Sequence, residues 1–492
     1  MTFALSCRTV REQRRIVAIG SATAALYVVN ALLQHALHGD GTVSRTGYAW
    51  EALLYLLVTG AIFWSYCLIL AMCRRGQLAQ RGARAWSLIL PCVLQLGLAV
   101  LTPQLSQDVF SYMAHGFLGT VPGHNPLTDE AEIARATAIG PRLAAAGWDA
   151  EPGMTPYGII WTQIEIGIMK ASGGGVLVAL LLMKAVILAS SLGTALAIWS
   201  FLGRVAPAAR QLGTLAYLWN PLILVELAGE GHNDALMVLC AVAALAASAA
   251  QQPAISVFAQ LCGALTKYVP VLFVPAQLVY LWRTRRSAKR LLVEILIAVL
   301  VAAALAAALY APLWAGLHSF DGIAHRATLV RSASPSGAID WLLRRSPLAA
   351  AAMQVTVASV SLPVMAFIAW ISSRVRDPAS LARAFAWISV AYVLVASPDY
   401  WPWYACMPVT LLIVADTNRY LWLIVLLSVV ARLGAPLDLL REHGLLQMPL
   451  SRGGLTGLGT TLPLLVLLVW VLRRVRRREG DAVPAAAPHV LP

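Results

Sequence analysis

The chain has 492 residues, 59% of them hydrophobic and 12% charged, and 37 Lys and Arg against 23 Asp and Glu leave a net charge of +14. Soluble domains carry roughly 25% charged residues, which excludes a water-soluble globule. The arginines fall in short clusters between apolar runs and build no basic face interleaved with aromatics, which excludes nucleic acid as a partner.

Arg8, Arg11, Arg14 and Arg15 close a basic segment, 1–15, ahead of an apolar stretch at 16–37. That stretch exceeds the roughly 7–15 residues of a signal-peptide core, so it reads as an uncleaved first span. Runs able to cross roughly 30 Å of hydrocarbon follow at 49–73, 85–103, 175–202, 212–228, 234–250, 291–311, 347–371 and 455–472. Shorter runs at 254–266, 268–282, 384–397, 403–416 and 420–434 span only if neighbours cover their backbone. The expectation is an all-α polytopic membrane protein with about 12–14 transmembrane helices and one transmembrane domain, 16–472. A cytoplasmic tail at 473–492 ends in an Ala- and Pro-rich stretch that reads as disordered. The seven cysteines form no Cys-x-x-Cys pair, so neither a disulfide framework nor a zinc site is indicated.

Placing both termini in the cytoplasm puts 24 of the 37 Lys and Arg on the inner side, the bias that orients inner (plasma) membrane proteins. The long polar segments, 104–174, 312–346 and 435–454, then face outward, and the chemistry with them. Within the first, Trp161 to Lys170 reads as an interfacial helix.

Gln107-Asp108-Val109-Phe110-Ser111-Tyr112 places a carboxylate just past the third span. It suits a base receiving a hydroxyl proton and equally a helix cap beside interfacial rings. Between two spans, His232, Asn233 and Asp234 exceed what one helix cap requires and offer the short directional groups a sugar needs. Lys267, beside Tyr268, is costly among short helices unless paired or serving a polar cavity, where phosphate is a natural partner. Arg326 and Arg331 offer bidentate phosphate contacts. Ser397 to Tyr404, with Trp401, Trp403 and Tyr404, is the densest aromatic cluster and suits sugar stacking or an isoprenoid groove. Lys184 and Glu226, inside spans, read as a structural pair. Asp149 and Glu151 form a carboxylate pair that could hold a divalent ion, against the bland reading of solvated loop acids. No Walker A sequence and no Gly-rich strand-to-helix fingerprint is present, so nothing points to a nucleotide or nucleotide sugar.

In order along residues 100–405, these motifs, with Asn125-Pro126, Pro156-Tyr157-Gly158, Asn220-Pro221 and Pro402-Trp403-Tyr404, resemble the bacterial polyprenol-phosphate-mannose-dependent mannosyltransferases of the GT-C superfamily. The pattern departs at Leu127, Ile159 and Glu230. The resemblance implies a GT-C-like helical fold and transfer of a sugar, mannose in that family, from polyprenyl phosphate to a glycan or lipid-linked acceptor by inverting single displacement. Asp108 would be the catalytic base, and Tyr112, Tyr157, His232, Asn233, Asp234, Lys267, Arg326, Arg331, Trp403 and Tyr404 would bind substrate. The leaving group is already a phosphate, so basic side chains suffice to stabilise it, and neither cofactor nor metal is called for. A flippase or transporter of lipid-linked sugar would share the spans and the charge bias, but would carry its polar residues near the midplane rather than in outer loops. A noncatalytic scaffold would leave the ordered motifs without a cause.

Overall fold

The computed structural model describes residues 2–37, 45–149, 153–328, 334–442 and 458–481, which form helices and turns with no strand among them. The first three helices are α1 (Thr2–Leu37), α2 (Arg45–Arg74) and α3 (Arg81–Ala99). The loop that follows folds into α4 (Asp108–Leu118), α5 (Gly140–Ala145) and α6 (Ile159–Ala171). Next come α7 (Val176–Val205), α8 (Arg210–Leu218), α9 (Pro221–Ile223), α10 (Asp234–Ala249), α11 (Pro253–Thr266), α12 (Val274–Thr284) and α13 (Ala288–Tyr310). Two short helices, α14 (Asp321–Thr328) and α15 (Pro335–Leu343), precede α16 (Ala352–Ser372), α17 (Pro378–Ala391), α18 (Cys406–Glu442) and α19 (Leu458–Asp481).

Among the described residues eight helices are long and apolar enough to cross a membrane, and a ninth crossing arises if the pair meeting at 44° across Asn220 is one bent span. Pro221 supplies no N–H to the helix ladder, and the Asn220 side chain accepts the Leu222 N–H at 2.9 Å, which restarts the helix after the bend. Large apolar side chains such as Trp64, Leu196 and Leu362 are exposed on the outer faces of these helices. A soluble monomer avoids such a surface, and lipid suits it.

The short runs at 403–416 and 420–434 lie in α18, which is continuous except at Asp416, where the dihedrals are extended (φ −176°, ψ 94°). Asn418, just past the break, accepts from Arg74 at the last turn of α2, whereas Arg432 donates to Tyr55 Oη near the start of α2. The chain therefore reverses at Asp416 and serves as two short crossings. The run at 268–282 begins as a 3-10 turn, Val269–Phe273, before α12. Helix α1 starts at Thr2, so the basic N-terminal segment extends the first span, and α19 continues to Asp481.

The stretch read as interfacial forms α6, but Trp161, Thr162 and Glu165 are fully buried. Gly116 explains this packing: a Cβ there would lie 2.5 Å from the Glu165 carbonyl oxygen, so only glycine lets α4 and α6 approach this closely.

Candidate active site

Two irregular turns frame one end of the helix bundle. A π-helical segment, Leu224–Gly229, leads into the turn of His232, and a second, Tyr392–Ala396, leads into the aromatic cluster. Such π-bulges re-aim side chains and recur at functional sites. Gly231, at φ +83°, turns the chain back into α10. The buried Glu230 side chain accepts the backbone N–H groups of Gln104, Leu105 and Ser106 at 3.1, 2.8 and 3.1 Å. This clasp fixes the strap entering α4, and so fixes Asp108, the first residue of that helix.

Asp108 Oδ2 lies 3.5 Å from Tyr112 Oη, 3.4 Å from Tyr157 Oη and 3.4 Å from His232 Nδ1. His232 is wholly buried, and its Nε2 lies 3.4 Å from Glu226 Oε2, whose other oxygen receives Arg432 at 2.6 Å. A row of alternating charge, Arg432, Glu226, His232, Asp108, thus runs from the bundle interior to the site. Burial works against protonating His232, but the Asp108 and Glu226 carboxylates on either side outweigh it and lift the imidazole to about 9. The ring is clamped by Trp403, stacked on it at 3.9 Å, with Trp401 stacked behind at 5.1 Å. Burial and the neighbouring Tyr157 and Asp108 push the Tyr112 hydroxyl well above its ordinary value, so it remains a donor.

These groups open onto a cavity of about 350 Å³ whose lining includes Asp108, Asp399, Tyr157, Lys267, Trp403 and Tyr404 together with the apolar Val269, Leu272 and Ile323. Lys267 Nζ pairs with Asp234 Oδ2 at 2.8 Å and lies 5.1 Å from the Tyr404 ring and 5.9 Å from the Tyr157 ring. Carboxylates, an ammonium and apolar side chains around one cavity suit a substrate with a hydroxyl, a phosphate and a hydrocarbon tail.

The fold gathers eight of the eleven expected site residues here: Asp108, Tyr112, Tyr157, His232, Asp234, Lys267, Trp403 and Tyr404. Asn233 is buried, its N–H donates to Tyr112 Oη at 3.5 Å, and its side-chain amide has no hydrogen-bond partner among the described residues. Arg326 belongs to α14, whose Ile323 lines the cavity, while its own side chain and the whole of Arg331 lie outside the described residues. The Lys184–Glu226 pair does not form. Glu226 meets His232 and Arg432, and Lys184 instead donates to the carbonyls of Leu98, at 3.4 Å, and Leu101. Asp149 pairs with Arg135 at 2.8 Å, and Glu151 is outside the described residues.

Sequence reasoning gave Glu226 the wrong partner, noted Glu230 only as a departure from the family pattern, and passed over Arg432. The available signal was that an ionisable residue inside an apolar span needs a partner, which fits Arg432 and Lys184 alike.

Residues 14–284 match the model of a family described as alpha-(1->6)-mannopyranosyltransferase, N-terminal domain, a range that carries Asp108, Tyr157, His232 and Lys267 but ends before Trp403 and Arg432. An alpha-(1->6)-mannopyranosyltransferase A of Corynebacterium glutamicum is 31% identical over 140 residues, which is 28% of this chain and 26% of that protein. An alpha-(1->6)-mannopyranosyltransferase of Mycobacterium tuberculosis is 28% identical over 158 residues, 29% of this chain and 24% of that protein. The aligned stretch thus spans about a quarter of the length of each of these curated relatives.

Proposed function

The chain belongs to the alpha-(1->6)-mannopyranosyltransferase family, and from that premise we propose that it transfers mannose from a polyprenyl-phosphate donor to a glycan or lipid-linked acceptor. The reaction takes place on the extracytoplasmic face of the inner membrane, with both termini in the cytoplasm. The observation that carries this reading is Asp108 Oδ2 at a cavity that also presents Lys267 and apolar side chains.

In this reading Asp108 takes the proton of the acceptor hydroxyl as that oxygen bonds to the anomeric carbon. The bond from that carbon to the phosphate oxygen breaks with its electron pair, and polyprenyl phosphate departs. Attack opposite the leaving group inverts the centre. Tyr112, Tyr157 and His232 surround the carboxylate and orient it toward the acceptor. Lys267, together with Arg326 or Arg331, faces the charge growing on the phosphate. The tail lies along Val269, Leu272 and Ile323, and Trp403 and Tyr404 flank the sugar.

The test is to incubate the purified full-length protein with polyprenyl-phosphate mannose, other polyprenyl-phosphate sugars and a nucleotide-linked mannose, each with a mannose-terminated acceptor, and to measure released polyprenyl phosphate and extended acceptor. Turnover with polyprenyl-phosphate mannose alone is expected. Turnover only with the nucleotide sugar overturns the donor assignment. Movement of intact lipid-linked sugar across a vesicle without bond cleavage makes the protein a flippase.

A further inference from the structure

A second polar cavity, of about 160 Å³, opens at the far end of the bundle from Asp108, between the turn joining α10 to α11, the last turn of α12 and the first of α13. We propose that it holds the headgroup of an anionic glycerophospholipid.

Three guanidinium groups, Arg285, Arg286 and Arg290, line this cavity against one carboxylate, Glu294, so it carries net positive charge. Glu294 pairs with Arg290 at 2.8 Å, whereas Arg286 makes no ion pair among the described residues. The floor is already organised: Gln251 Nε2 donates to Tyr280 Oη at 2.9 Å, and that hydroxyl donates to the Ser248 carbonyl at 3.0 Å. Gln251 is held in the left-handed region at φ +58°, the one non-glycine residue there among the described residues. Cations in excess over anions, gathered in a cleft with fixed donors, recognise a phosphate.

The surroundings select a lipid phosphate over a free one. The Arg285 guanidinium lies 3.4 Å over the ring of Trp282, which is half exposed. Ile255, Leu292 and Val293, near the starts of α11 and α13, the helices that begin at the cavity, are equally exposed apolar residues. An indole at the level of a basic cluster marks the headgroup layer of a bilayer, and the apolar faces beyond it receive acyl chains. Free phosphate would gain nothing from them. Because α11 ends at Thr266, and the turn from Lys267 into α12 lines the donor cavity, a lipid seated here braces the same helices from their opposite ends.

The experiment uses the delipidated full-length protein in neutral detergent, titrated with phosphatidylglycerol, phosphatidylcholine or inorganic phosphate, with bound lipid counted by native mass spectrometry and unfolding temperature followed in parallel. Phosphatidylglycerol is expected to bind and raise the unfolding temperature, with phosphatidylcholine and millimolar phosphate doing neither. Joint Arg285→Ala and Arg286→Ala replacement weakens phosphatidylglycerol binding about tenfold or more, since charge-assisted hydrogen bonds are lost. Joint Arg204→Ala and Arg374→Ala, the same charge change elsewhere, leaves it intact. Equal weakening by the control pair, equal binding of phosphatidylcholine, or an equal effect of phosphate alone overturns the proposal. A photoactivatable phosphatidylglycerol on the wild-type protein does not depend on any variant folding: crosslinks within 278–294 support the site, and their absence there overturns it.

Discussion

Asp108 is held between two tyrosine hydroxyls and a histidine ring. Tyr112, Tyr157 and His232 all stand at 3.4–3.5 Å, contacts long enough to shorten or loosen when an acceptor hydroxyl arrives. Asp108→Asn keeps the size and the acceptor oxygen but cannot take a proton, so transfer should fall by about 10²–10⁴ with donor binding and expression intact. If the carboxylate only capped α4, Asn would serve as well, and near wild-type turnover of the purified variant would remove it as base. Lys267 raises a different question, because its charge is already matched by Asp234. Lys267→Ala leaves that carboxylate buried alone, so loss of activity in this variant proves nothing by itself. The informative protein is Lys267→Ala with Asp234→Asn: a phosphate ligand predicts a raised donor KM that persists in the double variant, and a purely structural pair predicts recovery. His232 gives the pH dependence. Its folded value, about 9, lies above the ordinary 6.5, so the stability drawn from Asp108 and Glu226 is complete below about 6.5 and fades as pH rises through about 9. Thermal unfolding and transfer rate should both decline through that window in the wild-type protein, and His232→Gln should lose the dependence. A profile unchanged in the variant would assign the titration elsewhere.

Single helices carry these side chains only because a few backbone approaches are close. Gly158, the residue before α6, packs so tightly on α11 that a Cβ would strike the Leu265 carbonyl oxygen, and its own N–H donates to the Thr266 carbonyl at 3.0 Å. Tyr157, the residue before it, depends on that register for its reach to Asp108. Gly158→Ala should cost about 1–3 kcal/mol, the usual range for overpacking, and should lower transfer. Gly97→Ala in α3, where a Cβ meets nothing, should be neutral or slightly stabilising. Equal unfolding temperatures for the two variants would refute this account of the α6 register. The same scale shows what a sequence displays and what it hides. Long apolar runs and the aromatic cluster are local signals, so the spans and the crowd around Trp403 could be read from composition, whereas the bend at Asn220-Pro221 fell inside a run, 212–228, read as one span. The clasp of Glu230 on residues 104–106 joins segments over a hundred residues apart, and in the sequence Glu230 is only a departure from a familiar pattern. Glu226 and Arg432 are 206 residues apart, and nothing local distinguished Arg432 from Lys184 as the partner. The reversal at Asp416 was legible as two short runs because the polar tetrad Asp416-Thr417-Asn418-Arg419 interrupts them.

At the scale of the whole molecule, the bundle has two chemically different ends. Asp108, His232, Lys267 and Trp403 gather at one, and Arg74, Arg283 and Asn418 mark the other, where Arg74 reaches Asn418 and Arg283 donates to the Val375 carbonyl at 2.7 Å. In the proposed orientation, which rests on the positive-charge bias, the arginine-rich end lies in the cytoplasm. That orientation gives the mechanism its consequence, because a lipid-phosphate donor must then be presented outside, where nucleotide sugars are absent. Cysteine labelling of a variant stripped of its seven native cysteines tests it directly, provided the probes stand at exposed positions. Ser334 would be a poor one, being 4% exposed with its hydroxyl capping α15. Ala145, at the end of α5, and Ala349, ahead of α16, are both exposed at the site end, and Gln80, before α3, is exposed at the other. An impermeant maleimide added to intact cells should modify Ala145→Cys and Ala349→Cys and should reach Gln80→Cys only after permeabilisation. The reverse pattern would turn the molecule over. It would place Asp108 on the cytoplasmic side, where soluble nucleotide sugars are available, and would remove the main reason for invoking a lipid-linked donor.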